Sequence, residues 1–162
     1  MTHSLHNTTC CFLGHRDTPE GVRPRLARAV ERHITQYGVT EFLVGGYGAF
    51  DRMAGAVAQE AKERHSFLRL FRLLAYLPPD QKNLIPPGWD GAYFPPGLET
   101  VPPRAAIPQA NRRMIQASQY LIAYVGYPSG GSAQALAYAQ TRRERGLLHL
   151  ENLFPETPPR LA

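Results

Sequence analysis

The chain alternates between short continuous apolar runs and segments in which apolar residues recur at helical spacing. Short apolar runs predict buried strands over 8–13, 41–44, 120–125 and 147–150, with one more in the later part of 67–77. Between these runs, apolar residues at helical spacing predict helices over 24–37, 51–64, 109–118 and 132–145. Such alternation implies right-handed crossovers between parallel strands. The sequence therefore predicts an α/β fold, a Rossmann-like doubly wound parallel sheet of about five strands with helices on both faces.

Residues 78–108 interrupt this alternation. The segment holds nine of the 15 prolines, together with Trp89, Tyr93 and Phe94. Because proline is excluded from helix interiors and central strands, we predict a long loop or lid here, packed on the domain through its aromatic residues. The whole chain, 1–162, is predicted to be one domain with a frayed tail at 155–162.

Three turns that contain glycine follow directly on predicted strands, at 14–16, 45–48 and 130–132. The carboxyl ends of parallel strands meet at one edge of a sheet, where the backbone can approach a phosphate and the next helix presents its positive end. In the common strand order 3-2-1-4-5, the first and last of these turns face each other across a crevice. The three turns therefore predict one composite site for an anion or nucleotide.

The residue types in these turns suggest individual roles. Gly130 and Gly131 allow close approach of the backbone, and Ser132, predicted as the N-cap of its helix, offers a hydroxyl to phosphate oxygens. Arg16 suits bidentate contacts with phosphate. His15 either serves the ligand, as a donor or by titrating near neutral pH, or is satisfied by the local backbone of its turn.

Three further residues have more than one interpretation. Asp51 is either the N-cap of the second helix or an acceptor for a ribose hydroxyl or base, and one carboxylate can do both. Asn111 and Arg112 begin the helix that leads into the fourth strand. From the pattern alone they either point toward the crevice or lie on a solvated helix face.

The charge balance favours an anionic partner. The formal net charge is +5, and all but two of the 18 basic residues are arginines, whose planar guanidinium groups suit phosphate or carboxylate. The basic residues are spread over the predicted helices instead of forming one block, which is typical of solvated helix faces. Composition thus indicates the sign of the partner's charge and leaves its identity open.

The two cysteines indicate a reducing compartment. Cys10 and Cys11 are neighbours on a predicted strand, so they point to opposite faces and form no disulfide framework. No signal-peptide pattern occurs, and no apolar run reaches the roughly 18 residues that could cross a bilayer. A cytoplasmic protein without a membrane segment is therefore expected.

Common catalytic and metal motifs are absent from the sequence. The six histidines show no metal-binding spacing with carboxylates or cysteines, and no nucleophile elbow, Walker A sequence or complete Gly-x-Gly-x-x-Gly occurs. We assign no catalytic residue, no metal and no cofactor beyond a nucleotide-type ligand.

Four segments together resemble the motifs of the SLOG superfamily, specifically its small YpsA-like branch. They are Cys11–Arg16, Gly45–Ala54, Asn111–Met114 and Gly130–Ser132, in the family's order. The resemblance implies a Rossmann-like fold that binds nucleotides or nucleotide-derived ligands such as ADP-ribose. It also implies that one pocket is lined by Gly14, His15, Arg16, Gly45, Gly46, Gly48, Asp51, Asn111, Arg112, Gly130, Gly131 and Ser132.

The chain departs from the family pattern at specific positions. Ser132 stands where threonine is usual and keeps the hydroxyl, whereas Gln119 replaces a frequent acidic residue and loses its charge. The related phosphoribohydrolases carry a glutamate after their glycine motif, but Gly130-Gly131 is followed here by Ser-Ala-Gln-Ala-Leu. An enzyme of that type would lack its acid–base group.

Three functions remain in competition. The favoured one is a protein that binds or senses a small anionic, nucleotide-derived ligand. The alternatives are a nucleotide or nucleoside-phosphate hydrolase that uses Asp51 or His15 as acid or base, and a single-strand DNA binder that uses arginines and stacking aromatics. Nucleic acid is the least favoured partner, and a homo-oligomer is compatible with the sequence.

Overall fold

The computed structural model describes residues 8–77, 84–126 and 130–154. Single 3₁₀ turns occur at Glu20–Val22 and Leu98–Thr100. The strands are β1 (Thr9–Gly14), β2 (Glu41–Val44), β3 (Arg69–Leu73), β4 (Gly91–Tyr93), β5 (Tyr120–Tyr124) and β6 (His149–Asn152). The helices are α1 (Arg23–Thr35), α2 (Ala49–Arg64), α3 (Pro103–Gln116) and α4 (Gly131–Glu144).

All six strands pair in parallel in the order β4-β3-β2-β1-β5-β6. This order confirms the predicted Rossmann-like sheet, and β4 extends it by one strand at the edge. The direction of strand progression reverses between β1 and β5, where Gly14 lies opposite Tyr124. This reversal is the topological switch point at which ligands bind in open α/β sheets.

The two faces of the sheet bury separate cores. Cys10 and Phe12 of β1 pack with α1 and α2 on one face, whereas Cys11 and Leu13 pack with α3 and α4 on the other. Both cysteines are fully buried and free, as their positions on a central strand predicted. Burial raises the pKa of Cys11 to about 12 and that of Cys10 well above its usual range.

The proline-rich segment corrects one prediction. Proline was expected to exclude helix interiors from 78–108, yet α3 begins at Pro103 instead of residue 109 and contains Pro108. As the sixth helical residue, Pro108 removes one backbone hydrogen bond, while its neighbours Ala106 and Ala110 are buried against the sheet. Burial of this helix face outweighs the lost bond.

The described part of this segment packs on the domain, as predicted. Trp89 contacts the core beneath α1 and α2, and Tyr93 and Phe94 contact the opposite core. Residues 78–83 and the predicted frayed tail at 155–162 lie outside the described residues. The last strand is also corrected, since β6 begins at His149 and leaves Leu147 exposed. No helix in the described part of the chain is long and apolar enough to span a membrane.

Candidate ligand site at the strand ends

A cavity of about 410 Å³ opens at the carboxyl ends of β1 and β2, beside the switch point. We call it the strand-end cavity. Its size falls within the range of small-molecule sites, roughly 300–1,000 Å³. Nine of the twelve predicted site residues line it: Gly14, His15, Arg16, Gly45, Asp51, Asn111, Gly130, Gly131 and Ser132.

The turn after β1 is packed tightly against α2. A Cβ atom on Gly14 would lie 2.2 Å from Cγ of Phe50, so only glycine fits at this position. The carbonyls of His15 and Arg16 accept hydrogen bonds from the backbone N–H groups of Phe50 (3.4 Å) and Ala49 (2.9 Å). The amino-terminal amides of α2 are therefore used within the protein.

Gly48 does not line the cavity, but it allows the turn after β2 to lie against the turn after β1. Its φ is +142°, and a Cβ there would lie 2.6 Å from Cα of Arg16. Both the backbone conformation and the close contact require glycine. Gly46 also lies outside the strand-end cavity, beside the guanidinium group of Arg72.

His15 links the ends of two strands. Its buried imidazole accepts a hydrogen bond at Nε2 from the backbone N–H of Gly126 (2.8 Å), and the backbone N–H of His15 donates to the carbonyl of Tyr124 (3.3 Å). Burial lowers the pKa of His15, and the negative charge of Asp17 opposes this effect in part. Neutral imidazole with its proton on Nδ1 fits this hydrogen bond. The partner of Nε2 thus belongs to the neighbouring strand end and not to the local turn.

Asp51 is not the N-cap of α2, because Gly48 holds that position and Asp51 is the third helical residue. Its Oδ2 accepts a hydrogen bond from the backbone N–H of Tyr47 (3.0 Å) and would lie 2.8 Å from a Cβ on Gly45. Burial raises the pKa of Asp51 to about 6, against the lowering effects of the Tyr47 amide and of Arg16 and Arg52. This carboxyl group is therefore positioned to titrate near neutral pH.

The start of α4 differs from the start of α2. Gly130, with φ +103°, is the N-cap in place of the predicted Ser132, whose hydroxyl instead donates to the carbonyl of Gly14 (3.3 Å). A Cβ on Gly130 or Gly131 would meet nothing within 4 Å. Among the described residues, no carbonyl accepts from the amides of Gly131 or Ser132. The first amides of a helix have no partner within the helix, and its positive dipole favours an anion there.

The two predicted site residues on α3 lie in different places. Asn111 lines the strand-end cavity, whereas the Arg112 guanidinium lies 4.2 Å from the ring centroid of Tyr138 on α4. Arg112 borders a smaller cavity between the two helices. The expectation that both residues share one pocket is therefore not matched by their geometry.

Tyr47 is a cavity residue that the sequence reasoning missed. Its hydroxyl accepts a hydrogen bond from the backbone N–H of Ala75 (3.3 Å), which joins the turn after β2 to the segment after β3. Its position within the glycine turn was the available signal. Within the described ranges, no group of three or more His, Cys, Asp or Glu side chains could hold a metal ion.

Solved structures similar to this chain share its fold. DNA processing protein A (DprA) from Streptococcus pneumoniae is 16% identical, with a TM-score of 0.58 over 88% of this chain and 49% of that one. DprA from Helicobacter pylori, described by its single-stranded DNA binding mode, is 15% identical, with a TM-score of 0.57 over 91% and 75%. The Moco carrier protein of Chlamydomonas rheinhardtii is 16% identical, with a TM-score of 0.52 over 90% and 89%.

These similarities concern the fold. The chain spans about half the length of the first of these structures. No protein-family model and no curated protein matches it. The class defined by the fold is thus a Rossmann-like α/β protein with a cavity at its switch point.

Proposed function

We propose that this protein binds a small, phosphate-bearing ligand of the nucleotide type, such as ADP-ribose, in the strand-end cavity. The observation that carries the proposal is the start of α4, where Gly130 and Gly131 leave open space and line the same cavity as Arg16. Amides at a helix start and a guanidinium group are both strong phosphate ligands.

The other lining residues suit the rest of such a ligand. In this proposal the phosphate contacts the amides of Gly131 and Ser132 together with Arg16. Asp51 accepts a hydrogen bond from a ribose hydroxyl, and Asn111 supplies a neutral polar contact. His15 keeps the ends of β1 and β5 together through its bond to Gly126.

The proposal includes membership of the SLOG superfamily, in its YpsA-like branch, and a cytoplasmic location. Support for the superfamily comes from the four motif segments and from the fold shared with the DprA proteins and the Moco carrier protein. The Helicobacter pylori DprA is described by its single-stranded DNA binding mode, and the Chlamydomonas protein is named a Moco carrier, which supports a binding role. The free, buried thiols of Cys10 and Cys11 support a reducing compartment.

Single-stranded DNA is the second candidate ligand. It is favoured by the fold shared with the Helicobacter pylori DprA, which is described by its single-stranded DNA binding mode, and by the net charge of +5, which comes mainly from arginines. Binding of this kind weakens steeply as the salt concentration rises, because phosphate contacts release counterions. A small ligand that neutralises one or two charges shows a much smaller dependence.

Ligand binding is tested by thermal denaturation and calorimetry of the full chain with AMP, ADP-ribose and an oligonucleotide. We expect saturable stabilisation by AMP or ADP-ribose. Arg16→Gln should weaken their affinity roughly tenfold, the effect of one lost charged hydrogen bond. Arg28→Gln, an exposed arginine on α1, is the matched control. Equal ligand affinity in both variants, or binding of the oligonucleotide alone, would reject the proposal.

The same samples test for hydrolysis. Burial raises the pKa of Asp51 to about 6, and this favours an enzyme. A general acid or base is most effective when its pKa lies near the pH at which the enzyme works. Release of base or phosphate that is lost in Asp51→Asn would establish catalysis. Bound nucleotide recovered intact after prolonged incubation supports a protein that binds or senses its ligand.

A further inference from the structure

A second cavity, also about 410 Å³, lies beside the strand-end cavity. We call it the tryptophan cavity, after Trp89 in its wall. Gly45 and Asp51 line both cavities, so the two spaces meet at this shared border. The tryptophan cavity is further bordered by the guanidinium-bearing residues Arg52 of α2 and Arg72 of β3.

The wall that holds Trp89 is anchored to the sheet and to α2. The indole packs over Gly55, where a Cβ would lie 3.2 Å from its Cζ2 atom, so glycine makes room for the ring. The neighbouring Asp90 accepts a hydrogen bond from the N–H of Leu70 (2.8 Å) and pairs with Lys62 (2.5 Å). These contacts anchor the segment that carries Trp89 to β3 and α2.

The groups in this cavity suit a flat heteroaromatic ring. Indole and guanidinium planes both stack on aromatic surfaces. The Arg72 guanidinium lies over the backbone of Gly46, 3.7 Å from the position of a Cβ there, so a side chain at 46 would narrow this space. A phosphate beside the shared Asp51 carboxylate would meet like charge, whereas a sugar hydroxyl would donate to it.

Resting on the proposed function, we infer that the tryptophan cavity is the base-binding half of a two-part nucleotide site. The phosphate lies at the start of α4, the ribose passes Asp51, and the base lies between Trp89 and the arginines. The two cavities together match a ligand with one charged end and one flat end. Of these two cavities, Trp89 lines only the tryptophan cavity, whereas the start of α4 lines only the strand-end cavity.

The experiment uses Trp89 as its own reporter, because it is the only tryptophan in the sequence. The full chain is titrated with AMP, GMP, CMP, UMP, ribose 5-phosphate and inorganic phosphate, following both tryptophan fluorescence and thermal stability. We expect at least one nucleotide to change the fluorescence saturably and to bind roughly five- to 100-fold tighter than ribose 5-phosphate. Ribose 5-phosphate should stabilise the protein without changing the fluorescence.

Arg72→Gln should weaken binding of the nucleotide that changes the fluorescence until its affinity is close to that of ribose 5-phosphate. The affinity for ribose 5-phosphate should not change in this variant. Arg69→Gln is the matched control, since Arg69 lies on the same strand but is exposed at its opposite end. Thermal denaturation without ligand checks that both variants fold. If a variant of Arg72 fails to fold, the comparison between nucleotide and ribose 5-phosphate in the unmodified chain still decides the question.

Failure of this inference differs from failure of the proposed function. If nucleotides and ribose 5-phosphate bind equally and leave the fluorescence unchanged, the base site is wrong while the phosphate site stands. If inorganic phosphate alone changes the fluorescence, the tryptophan cavity binds an anion and the inference is overturned. If none of these probes binds, both proposals fail.

Discussion

Replacing Asp51 with asparagine should stabilise the protein at neutral and alkaline pH. Burial raises the pKa of this carboxyl group from 3.8 to about 6 in the folded state, so the folded chain holds its proton more tightly than the unfolded chain. The resulting stability is fully present below about pH 4 and is lost as the pH rises through about 6. A pKa difference of about two units corresponds to a loss of about 3 kcal/mol.

Asparagine removes this loss because it does not ionise, and its amide oxygen can still accept the hydrogen bond from Tyr47. Relative to the unmodified chain, Asp51→Asn should therefore gain up to about 3 kcal/mol in free energy of unfolding above pH 7 and nothing near pH 4. For a domain of this size the gain raises the Tm by roughly 6–12 °C. Thermal denaturation over this pH range, followed by circular dichroism, measures the difference.

Glu63→Gln is the matched control, because Glu63 is an exposed carboxylate on the same helix and its substitution changes the net charge equally. The prediction is contradicted if the stability gain of Asp51→Asn over this control is the same at every pH, or is larger in acid. If Asp51 also contacts the ligand, the more stable variant should bind nucleotide more weakly. Such a trade-off is common where a functional group is held in an unfavourable environment.

Three further results are expected. Gly48→Ala combines a strained positive φ with a clash against the Arg16 backbone and should lower the free energy of unfolding by roughly 2–5 kcal/mol, whereas Gly21→Ala, which meets nothing within 4 Å, should change it by about 0.5 kcal/mol or less. Denaturant unfolding compares them, and equal losses would contradict the contact. A thiol reagent should label Cys10 and Cys11 only on unfolding, since both are fully buried; fast labelling of the native chain would contradict their position. Arg112→Gln should leave the nucleotide affinity measured by calorimetry within about twofold of the original, because the Arg112 guanidinium lies over the Tyr138 ring, outside the strand-end cavity. A tenfold loss of affinity would place Arg112 in the site.

Hydrophobic patterning was sufficient for the central strands. β1, β2 and β5 lie within a residue of their predicted bounds, because strands covered on both faces read as continuous apolar runs. It failed at β4, whose three residues pair only with β3 and have no recognisable period. It failed again at Pro108, where burial of two alanines on α3 outweighs a local preference.

The location of the candidate site followed from topology. Turns after parallel strands must meet at one edge of the sheet, so the residues at 14–16, 45 and 130–132 could be grouped without coordinates. Their individual orientations could not be predicted in this way. Asn111 and Arg112 are adjacent, but consecutive helical residues point about 100° apart, so one faces the cavity when the other does not.

The amino-acid sequence alone was enough to establish the parallel α/β sheet, its switch point and the edge where glycine turns gather, because these depend on periodicity and chain order. The three-dimensional packing decided that Ser132 bonds to Gly14, that Asp51 is buried enough to titrate near neutral pH, and that Trp89 stands beside the strand-end cavity. Each of these depends on contacts between residues far apart in the chain. The local sequence pattern does not predict such contacts, because they depend on how the helices and loops pack against the sheet.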